Sequence, residues 1–241
     1  MNPTPSPNPF NSAHVRALIV KTLLIVGAVV TGILLVTEVL SLAYPLTDAQ
    51  ALDENPIGAV VTLLMVLVGI LSLIVYVTTV VFFLMWLYRA ANNLRAFDPW
   101  CRTDHSPGWA VGSFFIPFVN LVVPYRAVKE VWQKSVPPDA ALLAEPGPPA
   151  VFPTWWLFWL LACFAGNISM RLSFNDNVPE STATQISILA SALSIVAAFF
   201  AYLVVDAIDK KQKETSQTLK LAQAAGPPPP PANLAMSDVV R

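Results

Sequence analysis

Long apolar runs separated by short polar segments dominate the sequence. Four runs, at 17–44, 57–87, 154–170 and 184–205, approach or exceed the roughly 20 apolar residues that a helix needs to cross about 30 Å of hydrocarbon. The first two are long enough to tilt or to project from the membrane. The third opens with tryptophans suited to the headgroup boundary, Trp155, Trp156 and Trp159. The pattern predicts an all-α integral membrane protein with four transmembrane helices in two hairpins.

A fifth apolar stretch, SPGWAVGSFFIPFVNLVVPY at 106–125, is broken by prolines and glycines. Pro117 and Pro124 each remove a helix hydrogen bond and clash with the preceding turn. About nine residues between Pro107 and Pro117 give only about 13 Å of helix, roughly half a bilayer. We therefore expect a central re-entrant or interfacial segment that is buried against the other helices, where Asn120 could supply hydrogen bonds. The alternative is a proline-kinked fifth span.

The distribution of Lys and Arg favours the four-span topology, because basic residues accumulate on the cytoplasmic side of a membrane protein. Arg241 lies too far from any span to count, which leaves thirteen of the fourteen basic residues. With four spans, twelve lie on one side and only Arg171 lies on the other. With five spans the division is six to seven. We therefore expect a protein of the cell membrane with both termini in the cytoplasm.

The first apolar run also permits a different interpretation, as a signal peptide. Arg16 and Lys21 precede the uninterrupted apolar part of this run, and Ser41-Leu42-Ala43 resembles a small-residue cleavage site. The run is long for such a peptide, which favours a retained first helix.

Polar and proline-rich segments divide the rest of the chain. YRAVKEVWQKS at 125–135 predicts an amphipathic interfacial helix, with Glu130 on its polar face and a basic side for anionic headgroups. A linker at 136–152 follows. Residues 1–14 and 207–241 are predicted to be disordered, proline-rich tails around a helical membrane domain at 15–206.

Composition excludes several classes of function. The chain is 55% hydrophobic and 12% charged, and its net charge of −1 provides no basic face for nucleic acid. Cys101 lies in a polar loop and Cys163 inside an apolar run, so we expect free thiols and no disulfide. No Cys/His cluster has the spacing of a metal site. The sequence therefore predicts no metal and no cofactor.

Two groups of polar residues flank the central segment. Arg89 and Asn93 are four residues apart on one helix face, where they could bind a carbonyl or a phosphate or simply orient the helix end. Cys101, Asp104 and His105 crowd into the loop CRTDH, but closeness in sequence supplies neither an orienting group nor an oxyanion site. We interpret CRTDH as a polar turn, and no catalytic residue is predicted.

Inside the spans, Glu38, Asn167 and Asp206 are polar residues of the kind that mark ion pathways. Glu38 and Asp206 lie near span ends, where snorkelling is cheap, so a structural role is favoured. The last span carries a stripe of small residues that lets helices approach closely, either within the chain or between two copies. The stripe consists of Ala190, Ser194 and Ala198, with Ser187 and Ser191 beside it.

The motifs around the central segment can now be compared with known patterns. They are WLYRA at 86–90, NL at 93–94, SPGWAVG at 106–112, IP at 116–117, NL at 120–121 and PY at 124–125. Together these motifs resemble the bacterial membrane family of domain of unknown function 4328. The resemblance covers about residues 57–206 and implies a multi-pass bacterial membrane protein without an assigned activity. The candidate functional motif consists of Trp86, Arg89, Asn93, Ser106, Pro107, Gly108, Trp109, Pro117, Asn120, Pro124 and Tyr125.

Two functions remain open at this point. The first is a non-enzymatic scaffold that assembles membrane partners through a basic surface and helix stripes. The second is a transporter or channel component for a small solute or ion, because irregular backbone at membrane depth often lines a substrate path. A membrane enzyme ranks third, and the CRTDH loop would be its only candidate site.

Overall fold

Six α-helices follow one another in the computed structural model, which describes residues 10–44, 56–98, 101–137, 147–175 and 177–225. Two 3₁₀ turns, Ser113–Phe115 and Val119–Leu121, lie between the third and fourth helices. The helices are α1 (His14–Ala43), α2 (Pro56–Phe97), α3 (Pro107–Gly112), α4 (Val123–Lys134), α5 (Val151–Ser173) and α6 (Glu180–Ala225).

Four helices, α1, α2, α5 and α6, are long and apolar enough to cross a membrane. The prediction of an all-α protein with four spanning helices is confirmed. Residues 106–125 contain no helix of spanning length, because α3 has six residues and the 3₁₀ turns have three each. Large apolar side chains such as Leu63, Leu73 and Val77 on α2 are exposed on the outer surface, as lipid-facing residues are.

The long helices pack in a fixed order, with α1 against α2 and α6, and α5 against α6. Polar contacts fix their directions. Lys21 near the start of α1 pairs with Asp206 late in α6, whereas Glu38 near the end of α1 meets Ser187 early in α6. α1 and α6 are therefore antiparallel. We call the end that contains Lys21 and Asp206 the basic end of the bundle, and the end that contains Glu38 the opposite end.

At the basic end, α2 and α6 continue beyond the predicted spans. The prediction of an unfolded tail from residue 207 is wrong as far as Ala225, since 207–225 is helical. Ile208, Asp209, Gln212 and Thr215 are buried on one face of this extension. Three of these four residues are polar, so the hydropathy of the sequence did not indicate that this face is buried. The tail prolines at 3–9 and 227–231 lie outside the described residues, as do most of the linker and the loop at 45–55.

The tryptophans at the start of α5 face inward. Trp155 and Trp156 are only 4% and 7% exposed, so their rings lie in the protein core. They pack with Phe83 and Phe114, which brings the central segment against α2 and α5. This aromatic cluster positions the candidate site.

Candidate functional site

The central segment at 106–125 is a folded turn with a defined start, and its last three residues begin α4. The Ser106 hydroxyl accepts a hydrogen bond from the Trp109 amide at 3.1 Å, and Pro107 occupies the first helical turn, where its missing N–H costs nothing. After one short helix the chain turns at Pro117 and Phe118. Phe118 has a φ of 64°, a conformation that a bulky residue adopts only when its surroundings enforce it.

One face of the central segment is packed against the bundle. Phe114 lies edge-on to Trp156, with ring centroids 6.3 Å apart, and also contacts Phe83 and Trp159. The Trp156 indole N–H donates to the Leu121 carbonyl at 2.9 Å. This bond satisfies a carbonyl that the broken helix would otherwise leave without a partner.

The other face is apolar and exposed. Phe115 is 68% exposed and Phe118 is 85% exposed, and Val122 and Pro117 are also open. Asn120 is partly buried, and its side chain has no hydrogen bond among the described residues. The segment therefore combines a sealed aromatic face with an outward apolar tip.

The upstream motif residues divide into different environments. Trp86 is fully buried, and its indole N–H has no hydrogen-bond partner in the part of the chain that the structure describes. Asn93 is also buried and donates to Gln212 at 3.2 Å, whereas Arg89 is partly exposed. Arg89 and Asn93 therefore meet different surroundings, and Asn93 belongs to a buried network.

That network joins α2, α4 and α6 at the basic end, and we call this region the platform. The Gln212 amide donates to the Ala90 carbonyl at 2.9 Å and to the Ser135 hydroxyl at 3.1 Å. The Thr215 hydroxyl donates to the Ser135 carbonyl at 3.0 Å. Buried polar groups are costly unless they are paired, so this network specifies the relative position of the three helices.

Helix α4 is part of the platform. Its predicted apolar face, which includes Val128, Val131 and Trp132, packs against the protein: the two valines are at most 2% exposed. Trp132 lies against Phe152, with centroids 5.7 Å apart. The predicted polar position of Glu130 is wrong, because this side chain is buried beneath the CRTDH loop.

Glu130 holds the CRTDH loop onto α4. Its carboxylate accepts from the backbone N–H groups of Asp104 and His105 at 2.6 and 3.2 Å, from His105 Nδ1 at 2.7 Å and from Lys134 Nζ at 2.8 Å. Lys134 also donates to the Arg102 carbonyl. The loop residues thus serve a structural contact.

The thiol in this loop is not activated. Burial raises the pKa of Cys101, with smaller opposing and reinforcing effects from Lys134 and nearby carboxylates. A nucleophilic cysteine needs the opposite shift. The described residues also contain no group of three or more His, Cys, Asp or Glu side chains placed to hold a metal ion.

The Glu130 contact should make the loop sensitive to acid. Burial alone raises the pKa of Glu130, but hydrogen bonds from Lys134, His105 and the Asp104 amide outweigh it and lower the pKa below the ordinary 4.5. The stabilisation is therefore complete above that ordinary value and is lost as pH falls through the lowered one. We expect hydrogen exchange at Asp104 and His105, corrected for intrinsic rates, to rise only in that acidic range.

The variant Glu130→Gln provides the comparison at neutral pH. It removes the ion pair with Lys134 and leaves only the glutamine carbonyl to accept from the donors that Glu130 satisfied. We therefore expect the free energy of unfolding to fall by roughly 1–3 kcal/mol. Glu214→Gln, which makes the same change at an exposed position on α6, is the matched control. Equal exchange in Glu130→Gln and the parent protein would contradict the contact.

Charged residues outside the predicted motif make the other polar contacts. Lys21 Nζ lies 2.9 Å from Asp206 and 3.9 Å from Asp209, whose carboxylate also meets His14 Nδ1 at 2.8 Å. At the opposite end the Glu38 carboxylate accepts from the hydroxyls of Ser187 and Ser191. The four-residue spacing of these serines was evident in the sequence, but nothing in the sequence indicated that Glu38 on α1 would be their partner.

The remaining motif residues lie around the central segment without forming a pocket together. Gly108 and Trp109 are exposed, Pro124 is buried in the first turn of α4, and Tyr125 is partly buried against the core. Asn167, which we singled out inside a span, is exposed and donates to the Cys163 carbonyl of its own helix. The arrangement provides surfaces and fixed geometry, with no assembled catalytic constellation among these residues.

Comparison with known proteins gives one match. A family model described as Domain of unknown function (DUF4328) matches residues 50–210, well over half of the chain. This agrees with the resemblance predicted from the motifs. Neither the curated proteins nor the solved structures give a significant match.

Proposed function

Since the chain belongs to the family of domain of unknown function 4328, whose activity is unassigned, we propose a function from its geometry: a non-enzymatic scaffold of the bacterial cell membrane. The chain is a multi-pass membrane protein with four spanning helices. The observation that carries the proposal is the platform, a buried and hydrogen-bonded polar layer at the end of the bundle where the basic residues gather.

Charge supports an orientation with the basic end in the cytoplasm, where both termini would also lie. Among the described residues, Arg171 is the one basic side chain near the opposite end. Lys and Arg favour the cytoplasmic side, so the platform would face the cell interior. The order of packing supports two helical hairpins, α1 with α2 and α5 with α6, joined by the central segment. The basic residues at the basic end are Arg16, Lys21, Arg89, Arg95, Arg102, Arg126, Lys129, Lys134, Lys210, Lys211, Lys213 and Lys220.

The central segment is proposed to enter the cytoplasmic leaflet and return. Phe114 contacts Phe83, which lies about 9 Å along α2 from Arg89 at 1.5 Å per residue. It also contacts Trp159, about 12 Å along α5 from its first residue, Val151. These contacts support a position within the hydrocarbon, where the exposed Phe115 and Phe118 would meet acyl chains.

The platform suits partner binding because its surface is polar while its interior is fixed. Lys213 and Gln217 are exposed on α6, each two residues from the buried Thr215. This part of α6 lies beyond the predicted span, and a fixed helix surface loses little conformational freedom on binding. The stripe Ala190, Ser194 and Ala198 is only partly buried and provides a second proposed contact, with another copy of the chain.

Photo-crosslinking in native membranes tests the scaffold. A photoreactive residue at Lys213 or Gln217 should give the same discrete adducts, because both positions face the proposed partner layer. Phe174, which is 81% exposed near the opposite end, is the matched control and should not give these adducts. An adduct of twice the chain mass would identify a second copy as the partner. Absence of adducts at both α6 positions, with normal amounts of protein in the membrane, would contradict the proposal.

The transporter alternative depends on the central segment lining a wet path. Its inward face is instead packed by Phe83, Phe114 and Trp156, and the exposed face is apolar. This packing favours the scaffold. Substitutions at Pro117 and Asn120 that change solute flux in reconstituted vesicles would reverse the preference.

A further inference from the structure

A second feature lies at the opposite end of the bundle, where α1 and α6 enclose an acidic side chain. Glu38 is 2% exposed, and Ser191 beside it is 8% exposed. One carboxylate oxygen accepts from the Ser187 hydroxyl, and the other accepts from the Ser191 hydroxyl at 3.0 Å. The side chain therefore does not snorkel out to water, although it lies near the end of its helix.

The depth of Glu38 follows from its distance to Lys21. The two residues are about 26 Å apart along α1 at 1.5 Å per residue. The hydrocarbon core is about 30 Å thick, so a bundle centred in the membrane would place Lys21 and Glu38 near its two edges. Glu38 would then be close to the boundary while protein encloses it.

No cation of the protein neutralises this carboxylate among the described residues. Arg171, the nearest candidate at this end, is exposed and makes no ion pair with it. The acidic Glu180 at the start of α6 is exposed as well. The connecting segment at 45–55 lies outside the described residues and contains Asp48, Asp53 and Glu54 but no Lys or Arg.

A buried carboxylate with only two hydroxyl partners is expensive in an apolar surrounding. Hydroxyl groups donate to a carboxylate, but their oxygens can also accept from or coordinate a small cation. We propose that Glu38, Ser187 and Ser191 form a binding site for a small monovalent cation, a proton or Na⁺, between α1 and α6. This site goes beyond the scaffold, which needs no bound ion.

Labelling with a hydrophobic carbodiimide in membrane vesicles tests the site. The reagent reacts with a protonated carboxyl group: the proton moves to a carbodiimide nitrogen, a carboxyl oxygen attacks the central carbon, and the acyl group then shifts from oxygen to nitrogen, which gives a stable N-acylurea with no leaving group. Mass spectrometry then locates the adduct. We expect the adduct on Glu38 and none on the ion-paired Asp206, which serves as the internal control.

Two conditions distinguish the ions. If Na⁺ is bound, replacing K⁺ by Na⁺ in the vesicle buffer should suppress the Glu38 adduct, and the double variant Ser187→Ala/Ser191→Ala should lose that protection. If only a proton is bound, labelling should proceed equally in both salts. An unlabelled Glu38 in both salts, in protein whose tryptic peptide is recovered, would overturn the proposal without affecting the scaffold.

Discussion

Replacement of Lys21 by methionine should lower the free energy of unfolding by about 3 kcal/mol, the low end of the cost of breaking a buried ion pair. The Lys21 side chain is 11% exposed and lies between Asp206 and Asp209, which are 21% and 8% exposed. Each carboxylate keeps one other partner, Lys210 or His14, which limits the loss. Titration of mixed micelles with sodium dodecyl sulfate, followed by circular dichroism, measures the change.

The matched control is Lys213→Met, which removes the same charge from an exposed position near this cluster. It should change stability by no more than about 0.5 kcal/mol, as surface substitutions usually do. The double variant Lys21→Met/Asp206→Asn should recover part of the loss, because it removes one of the two carboxylates that lose their contact with Lys21. A Lys21→Met protein as stable as the parent would show that the contact does not hold α1 to α6.

The spanning helices were predictable because each apolar run can be recognised from its own residues, without knowledge of the rest of the chain. Transfer of a long apolar segment to lipid depends on the composition of that segment alone, and four such runs were present. The irregularity of the central segment was predictable for a similar reason, since Pro117 removes a hydrogen bond and clashes with the preceding turn inside any helix. The family resemblance came from local motifs and was confirmed by the match over residues 50–210.

The polar contacts could not be predicted in the same way, because burial of a polar side chain depends on a partner elsewhere in the chain. From the sequence, Gln212 is predicted to lie in a soluble tail. In the structure it forms hydrogen bonds with Asn93 and Ser135. From the sequence, Glu130 is predicted to lie on the surface. In the structure the CRTDH loop covers it. The continuation of α6 from residue 207 to Ala225 was therefore missed, and with it the platform.

Both ends of the α1–α6 contact use polar groups, but in different ways. At the basic end opposite charges meet directly, as in the 2.9 Å contact between Lys21 and Asp206. At the opposite end the carboxylate of Glu38 has hydroxyl partners only. The first arrangement is a complete structural contact, whereas the second leaves a charge to be balanced. This difference is why Glu38, and not Asp206, carries the cation-site proposal.

Trp156→Ala should destabilise the protein by about 3–5 kcal/mol, the usual cost of removing a buried tryptophan side chain. Trp156 is 7% exposed, stacks on Trp159 at 4.6 Å and holds the Leu121 carbonyl. Trp156→Phe retains a ring but loses that hydrogen bond, so we expect a loss of roughly 1–3 kcal/mol. Sodium dodecyl sulfate titration gives both values.

A nitroxide attached at residue 118, in a protein without other cysteines, tests what Trp156 holds in place. In the parent protein it should collide more with oxygen than with a water-soluble nickel complex, as a lipid-exposed label does, and Trp156→Phe should increase its mobility. Trp109→Phe is the matched control: Trp109 is 44% exposed, so this change should leave stability within about 0.5 kcal/mol and the label unchanged. Preferential collision with the nickel complex in the parent protein would place the tip in water and contradict the re-entrant segment. If the label is no more mobile in Trp156→Phe than in the parent protein, the aromatic cluster, and not the indole hydrogen bond, fixes the turn.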